Sequence, residues 1–260
     1  SYVYLNYGRV IGNTISTGSG YAIQFNTDAS TNNPNDTNLI IGNKIYYSYS
    51  ASNTNYAPIY LNSSSQFFMV MNNFIASGTN FYSAGIYAAN WKNSSAGHNI
   101  ITNNTLSHSG GTGTWYYALY CSGGTGGIID IENNIVNGGD YNIYISGSTT
   151  LGVHYNLYNG SYLSGFTNDG TNTALTNFAA DNDGKITNLS CNCINGGNPD
   201  SAYADINLTR NDCGAYGGSF TLDNFFPNTS NDWARVFYVA APRRILVNGT
   251  LNVRADGYDK

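Results

Sequence analysis

The stretch Val70-Met71-Asn72-Asn73-Phe74-Ile75 decides the fold, because its frame recurs along the chain. An apolar residue stands three positions before Asn73, and another stands two positions after it. The same frame surrounds five further asparagines, with Tyr as the last residue in the weakest copy: Asn13, Asn43, Asn104, Asn134 and Asn156. Successive copies are 30, 30, 31, 30 and 22 residues apart. A nearly fixed period of this length predicts a solenoid of stacked coils.

Each copy of the frame is typical of a strand, a sharp corner and a second strand. Asn tolerates the left-handed backbone conformation that such a corner requires, so we place the corner at the repeated asparagine. Stacking would align these residues in one column, where their amides bond from coil to coil. We therefore predict a structural ladder, not a catalytic role, for Asn13, Asn43, Asn73, Asn104 and Asn134.

A second frame alternates with the first, and its first and third residues are predicted to point inward. Its copies are Val3-Tyr4-Leu5-Asn6, Ile23-Gln24-Phe25-Asn26, Ile59-Tyr60-Leu61-Asn62, Ile86-Tyr87-Ala88-Ala89, Leu119-Tyr120-Cys121-Ser122 and Ile143-Tyr144-Ile145-Ser146. Two frames within about 30 residues define one coil of a solenoid. Six coils fit, ending near Tyr158. The density of Gly and Asn argues against long helices.

With these frames over residues 1–160, the chain resembles the right-handed parallel β-helix repeat proteins. The resemblance implies an all-β fold: a right-handed parallel β-helix of about six coils, a C-terminal capping segment, and the start of a following β-sandwich-like region. Lyases, hydrolases, epimerases and adhesins share this fold, so the resemblance leaves the activity open.

Residues 161–233 lose the frame, and we expect them to cover the open end of the solenoid. Residues 205–218 read DINLTRNDCGAYGG. This stretch is similar to the closing segment "D-DGTRND-GAYGG" of secreted bacterial surface and adhesin-type β-helix proteins. It departs at Leu208, where that segment has Gly. The resemblance implies a secreted protein that is extracellular or on the cell surface.

Residues 234–260 contain two apolar runs around Asn248-Gly249, a dipeptide typical of a tight hairpin turn. The second run resembles the opening of a β-sandwich domain. We expect these strands to lead into other domains of a larger polypeptide.

The four cysteines do not have zinc-ligand spacing. Cys191, Cys193 and Cys213 lie close together in the sequence, and we favour a disulfide from Cys213 to Cys193 or Cys191; free buried thiols are the alternative. Cys121 is expected to be a small core residue. No cofactor is expected, with one alternative: oxygen atoms of Asp205, Asn207 and Asp212 holding Ca²⁺. The favoured interpretation of the same acids is an ion pair of Arg210 with Asp205 and Asp212.

Charge limits the range of partners. Charged residues make up 10% of the chain, and the net charge is −5. Because no basic run exists, we expect no nucleic acid partner. No apolar stretch is long enough to span a bilayer, so we expect no membrane insertion.

Glycoside hydrolysis requires two carboxylates at the bond that is cleaved. The best local pair is Asp130 and Glu132, which stand two residues apart on one face of a predicted strand. Neighbouring coils have no matching acids, so solvated surface charges are the favoured interpretation. A lyase needs a base beside a cation, but the basic residues of the coils fall in different frames. The histidines are scattered, and we expect His98, His108 and His154 to be loop or surface residues.

The outward position of the second frame carries a column of tyrosines that only Gln24 interrupts: Tyr4, Tyr60, Tyr87, Tyr120 and Tyr144. The position two residues earlier is small, which predicts open rings: Ala22, Pro58, Gly85, Ala118 and Asn142. Exposed aromatic rings can bind sugar rings, so the column predicts a glycan-binding surface. The alternative is a purely structural ladder, in which the stacked tyrosines only stabilise the sheet. An apolar stripe of Ile11, Ile41 and Met71 also points outward, and predicts a covering loop or a partner surface.

These observations favour a non-catalytic extracellular surface or adhesion module. Its expected partner is neutral glycan or another surface component, bound by the tyrosine column. Two alternatives stay open. One is a polysaccharide-degrading enzyme, either a glycoside hydrolase or a polysaccharide lyase, and the other is a passive structural spacer.

Overall fold

The chain forms short strands at the two frames. The computed structural model describes residues 2–26, 37–49, 56–78, 84–94, 97–108, 117–123, 128–146, 150–160, 162–226, 235–240 and 253–258. These residues form three parallel sheets and one two-stranded antiparallel sheet, and they contain no α-helix. The strands of the first six coils are β1 Val3–Leu5, β2 Arg9–Ile11, β3 Thr14–Thr17, β4 Tyr21–Asn26, β5 Thr37–Ile41, β6 Lys44–Tyr47, β7 Ala57–Asn62, β8 Phe67–Met71, β9 Phe74–Ser77, β10 Ala84–Asn90, β11 Asn99–Thr102, β12 Thr105–His108, β13 Tyr117–Cys121, β14 Ile128–Glu132, β15 Ile135–Asn137, β16 Tyr141–Ile145, β17 Thr150–His154 and β18 Leu157–Asn159.

Three strands make one coil, and each strand pairs in parallel with its counterpart in the next coil. Sheet A has the order β1-β4-β7-β10-β13-β16, sheet B β2-β5-β8-β11-β14-β17, and sheet C β3-β6-β9-β12-β15-β18. Strands β19 (Tyr162–Ser164) and β20 (Thr173–Ala174) add a partial seventh coil to sheets A and C. The predicted right-handed parallel β-helix of about six coils is confirmed.

Inward side chains stack in columns along the axis of the solenoid. In sheet A one such column is in register from coil to coil and fully buried: Ile23, Ile59, Ile86, Leu119 and Ile143. Burying a side chain of this size contributes roughly 1.5–3 kcal/mol. The repeated apolar positions of both frames therefore supply the core.

The asparagine ladder runs the length of the coils. The Asn43 amide donates to Asn73 Oδ1 at 2.9 Å, and the Asn73 amide donates to Asn104 Oδ1 at 2.9 Å. The contacts continue from Asn104 through Asn134 to Asn156 and reach one further asparagine, Asn172. The ladder was predicted, but its last member was not, because Asn172 lies in a shorter coil.

The corner was predicted one residue too late. The left-handed residue is the one before each of the first six ladder asparagines: Gly12, Gly42, Asn72, Asn103, Asn133 and Tyr155, with φ between 52° and 66°. Three of these residues also hold the C-terminal segment. Asn72 Nδ2 donates to Gly217 O at 2.7 Å, Asn103 Nδ2 donates to Asp212 O at 2.9 Å, and Asn133 Oδ1 accepts from Asn198 N at 2.7 Å.

The apolar stripe predicted on the outside is covered by the C-terminal segment. Phe225, which is buried, packs with Ile41 and Met71, and partly buried Ile11 joins the same cluster. Gly42 leaves room for the ring, since a Cβ there would collide with it. The predicted covering loop is thus part of this chain. It packs against the side of the solenoid, whereas the sequence predicted that the C-terminal segment covers the open end.

The predicted disulfide of Cys213 is wrong. The bond joins Cys191 to Cys193, and Cys213 is a buried free thiol whose Sγ lies 3.4 Å from Tyr155 O. Burial raises the pKa of the Cys213 thiol well above its usual range, so it stays protonated. Cys121 is a buried core residue, as predicted.

The acidic stretch near Cys213 uses its oxygens to accept hydrogen bonds. Asp205 accepts from the backbone N–H groups of Asp212 and Gly218, while Asn207 Oδ1 accepts from Thr209. Asp212 Oδ1 accepts from the backbone of Asn195 at 2.6 Å. Within the described parts of the chain, no cluster of three or more His, Cys, Asp or Glu could hold a metal ion. The oxygens predicted to bind Ca²⁺ thus accept hydrogen bonds within the C-terminal segment, and the Ca²⁺ alternative stays a prediction.

The expected ion pair of Arg210 is also wrong. Arg210 is exposed, and its Nε donates to Gly197 O at 2.7 Å. Further along, strands β21 (Arg235–Ala240) and β22 (Arg254–Tyr258) pair antiparallel. The predicted Asn248-Gly249 turn lies outside the described residues, and the following domain stays a prediction.

Candidate functional site

The tyrosine column forms as the second frame predicts. Tyr60, Tyr87, Tyr120 and Tyr144 are in register on β7, β10, β13 and β16. The Tyr87 and Tyr120 rings stack at 4.6 Å between centroids and 10° between planes, and Tyr60 meets Tyr87 edge-on at 5.3 Å. Tyr4 is 49% exposed and separated from the others by Gln24. The neighbouring rings cover part of each other's faces.

Three further tyrosines join the column and were missed from the sequence: Tyr21, Tyr117 and Tyr141. Tyr117 stacks with Tyr120 at 4.5 Å and with Tyr144 at 4.8 Å. Each of the three precedes a column position by three residues, which is a signal the sequence did contain.

The tyrosines of the column other than Tyr4 are half-buried, and the small residues predicted to leave their rings open are themselves buried: Ala22, Pro58, Gly85, Ala118 and Asn142. We use the name tyrosine face for the seven residues Tyr21, Tyr60, Tyr87, Tyr117, Tyr120, Tyr141 and Tyr144.

Polar but uncharged groups border the tyrosine face. The Asn62 amide donates to Asn26 Oδ1 at 3.0 Å, and the Asn90 amide donates to Asn62 Oδ1 at 2.6 Å. The hydroxyls of Tyr87 and Ser122 are 3.0 Å apart. No strand of sheet A contains Asp, Glu, Lys or Arg. Burial raises the pKa of Tyr21, Tyr60 and Tyr87, so these three hydroxyls stay protonated.

A second candidate site lies on sheet B, around the predicted carboxylate pair. Asp130 and Glu132, both on β14, line a cavity of about 360 Å³ together with His98, Thr102 and Tyr203. Asp130 Oδ2 lies 2.7 Å from His98 Nδ1. The predicted solvated role does not fit Glu132, which is only 9% exposed.

The surroundings of the two carboxylates differ. Burial raises the pKa of the Glu132 carboxyl, and the charge of Asp130 raises it further. Hydrogen bonds from Asn198 and Tyr203 oppose that rise in pKa. Glu132 is thus closer to its protonated form than an exposed Glu, while Asp130 sits beside an imidazole.

Two histidines expected on the surface belong to this region. His98 contacts Asp130, and His154 pairs in register with Glu132 on the next strand. His154 Nδ1 also lies 2.7 Å from Asp169 Oδ2. Hydrogen bonds from Thr171 are the main cause that lowers the pKa of Asp169 to about 2. Glu132 and His154 each stand two residues before a ladder asparagine, so the frame itself contained this juxtaposition.

Comparison with known proteins adds no family assignment: no protein-family model, no curated protein and no solved structure matches this chain. In the parts of the chain described, no helix is long and apolar enough to cross a membrane. The functional argument therefore rests on the two sites.

Proposed function

We propose that this chain is an extracellular or cell-surface adhesion module that binds neutral glycan, or another uncharged surface component, through the tyrosine face. The observation that carries the proposal is the combination of seven clustered tyrosines with strands that hold no charged residue. A ligand held by charge would find no partner in these strands, whereas a polyhydroxylated one finds hydroxyls, amides and rings. The similarity of residues 205–218 to the closing segment of secreted bacterial β-helix proteins supports the location.

The stacking of the rings defines how a glycan would be held. Because Tyr87 and Tyr120 cover each other's faces, a ligand meets mainly ring edges, hydroxyls and outer faces. Neighbouring strands are ~4.8 Å apart, so the column forms a regular row of contacts for an extended polymer. The rings are already packed, and binding therefore costs little side-chain entropy.

The first test replaces Tyr87 and Tyr120 by Ala in the full chain and measures binding on a glycan array, followed by titration calorimetry with the best ligand. We expect affinity to fall roughly tenfold or more, because two aromatic anchors are lost. The matched control is Tyr7→Ala, which removes a 49% exposed tyrosine outside the strands of sheet A and should bind as the parent does.

The same experiment separates the alternatives. If the double variant loses stability but keeps its affinity, the tyrosines are only a ladder. If the parent binds no glycan and cleaves none, a passive spacer is the remaining function.

A second function, polysaccharide hydrolysis, is favoured by the cavity around Asp130 and Glu132. Glu132 would donate its proton to the glycosidic oxygen as the C–O bond breaks. Asp130 would take a proton from the water that attacks the anomeric carbon. Residues two apart on a strand have Cα atoms ~6.6 Å apart and share one face, and an inverting mechanism needs carboxyl groups ~6.5–9.5 Å apart to admit the water. No Lys or Arg is among the described lining residues, so a lyase reaction fits less well.

The test of hydrolysis is reducing-sugar release from a panel of neutral polysaccharides. Glu132→Gln is expected to lower the rate at least 100-fold, since it removes the acid but keeps a hydrogen-bonding side chain. The rate of the parent should fall as the pH rises above the raised pKa of Glu132, because the acid must be protonated. Asp140→Asn, a change outside the cavity, should retain activity. An unchanged rate in Glu132→Gln would exclude this site.

A further inference from the structure

A groove separate from both sites lies between the outer face of sheet C and the C-terminal segment. Its volume is about 630 Å³. The floor is a row of side chains in register from β3 to β15: Ser16, Tyr46, Ala76, Ser107 and Asn137. Residues 178–182 form the opposite wall. Five strands at ~4.8 Å spacing make the floor about 19 Å long.

The wall is held in place by contacts of Asp181 and of the adjoining Asp183. Asp183 accepts a hydrogen bond from the Tyr46 hydroxyl at 2.9 Å and pairs with Lys44 Nζ at 3.1 Å. Asp181 Oδ1 accepts from the backbone N–H groups of Asp183 and Lys185, both at 2.9 Å. The floor of the groove therefore presents hydroxyl, amide and aromatic groups. Asp183 is held by β6, and the Asp181 carboxylate in the wall accepts hydrogen bonds from the backbone.

One buried hydroxyl in the groove has no hydrogen-bond partner among the described residues. Ser77 lines the cavity and is 2% exposed, and its Oγ makes no hydrogen bond within the described parts of the chain. A buried hydroxyl without a partner is unfavourable in the free protein. A polar ligand in the groove would satisfy this hydroxyl only after a change of the Ser77 rotamer.

We propose that this groove, the sheet C groove, binds a short neutral oligosaccharide. Uncharged polar groups set beside Tyr46 and Phe178 match sugar hydroxyls and apolar sugar faces. A peptide that binds by adding a strand fits less well, because this mode needs a free strand edge. Here the floor strands β6, β9 and β12 are paired on both sides. This binding site is independent of the tyrosine face and goes beyond the function proposed above.

The test is calorimetric titration of the full chain with cellohexaose, mannohexaose, xylohexaose and maltohexaose. Ala76→Trp, which fills the floor, is expected to abolish binding in the groove. Ser77→Ala is expected to weaken it roughly 3- to 10-fold while leaving thermal stability unchanged or higher, because no described residue bonds to this hydroxyl. Ser48→Ala is the control for stability. The Ser48 hydroxyl lines the same groove but donates to Thr17 O at 3.2 Å, so its removal should lower thermal stability.

The outcomes for the two surfaces are distinguishable. The Tyr87→Ala, Tyr120→Ala double variant should keep the groove site, and Ala76→Trp should keep the tyrosine face. Unchanged binding in both Ala76→Trp and Ser77→Ala would overturn the proposal. So would a loss of stability in Ser77→Ala that matches its loss of binding, or uptake of unstructured casein peptides in place of the oligosaccharides.

Discussion

Asn104→Ala is expected to lower the free energy of unfolding by about 4 kcal/mol, the larger of the two stability losses predicted here. The Asn104 amide is fully buried; it donates to Val70 O, Thr102 O and Asn134 Oδ1, and its oxygen accepts from the backbone and side chain of Asn73. Truncation leaves donors and acceptors unpaired in two neighbouring coils. Equilibrium unfolding in urea, followed by circular dichroism, measures the loss.

Asn13→Ala is the matched control, because it makes the same change at the exposed first rung of the ladder. Within the described residues, its amide donates only to Ile11 O and Asn43 Oδ1. We expect a loss of about 1 kcal/mol. Equal losses at the two positions would mean that the ladder adds nothing beyond its single hydrogen bonds.

The ladder could be predicted because one residue type solves a repeated problem. An Asn side chain both donates and accepts, so a column of them can bond along an axis at a fixed period. The position of the corner was harder to predict, since some copies of the frame contain two consecutive asparagines, as at Asn72-Asn73. The copies with Gly12 and Gly42 indicate the correct corner position, because Gly occupies the left-handed position before the ladder asparagine in both.

The candidate sites were only partly predictable. Strict alternation placed Tyr87 and Tyr120 correctly, but it missed Tyr117, which returns to the face three residues before Tyr120. The sheet B cavity needs His98 from outside the frame and Tyr203 from the C-terminal segment. Neither residue has a periodic signal, because the contacts that place them are long-range.

Phe225→Ala is expected to lower the free energy of unfolding by about 3 kcal/mol and to release the C-terminal segment locally. The ring fills the space above Gly42 and buries Ile41 and Met71 on the outside of sheet B. Without it an apolar stripe faces water, which favours self-association. Hydrogen exchange should therefore accelerate in residues 215–226 while strands in the core, such as β9, stay protected.

Leu189→Ala is the control within the same C-terminal segment, since Leu189 is 84% exposed and buries little. Its effect should stay within about 0.5 kcal/mol. Binding of a hydrophobic dye should rise for Phe225→Ala and not for Leu189→Ala. If the two variants behave alike, the stripe of Ile11, Ile41 and Met71 needs no cover, and the C-terminal segment is held by its contacts with Asn72, Asn103 and Asn133.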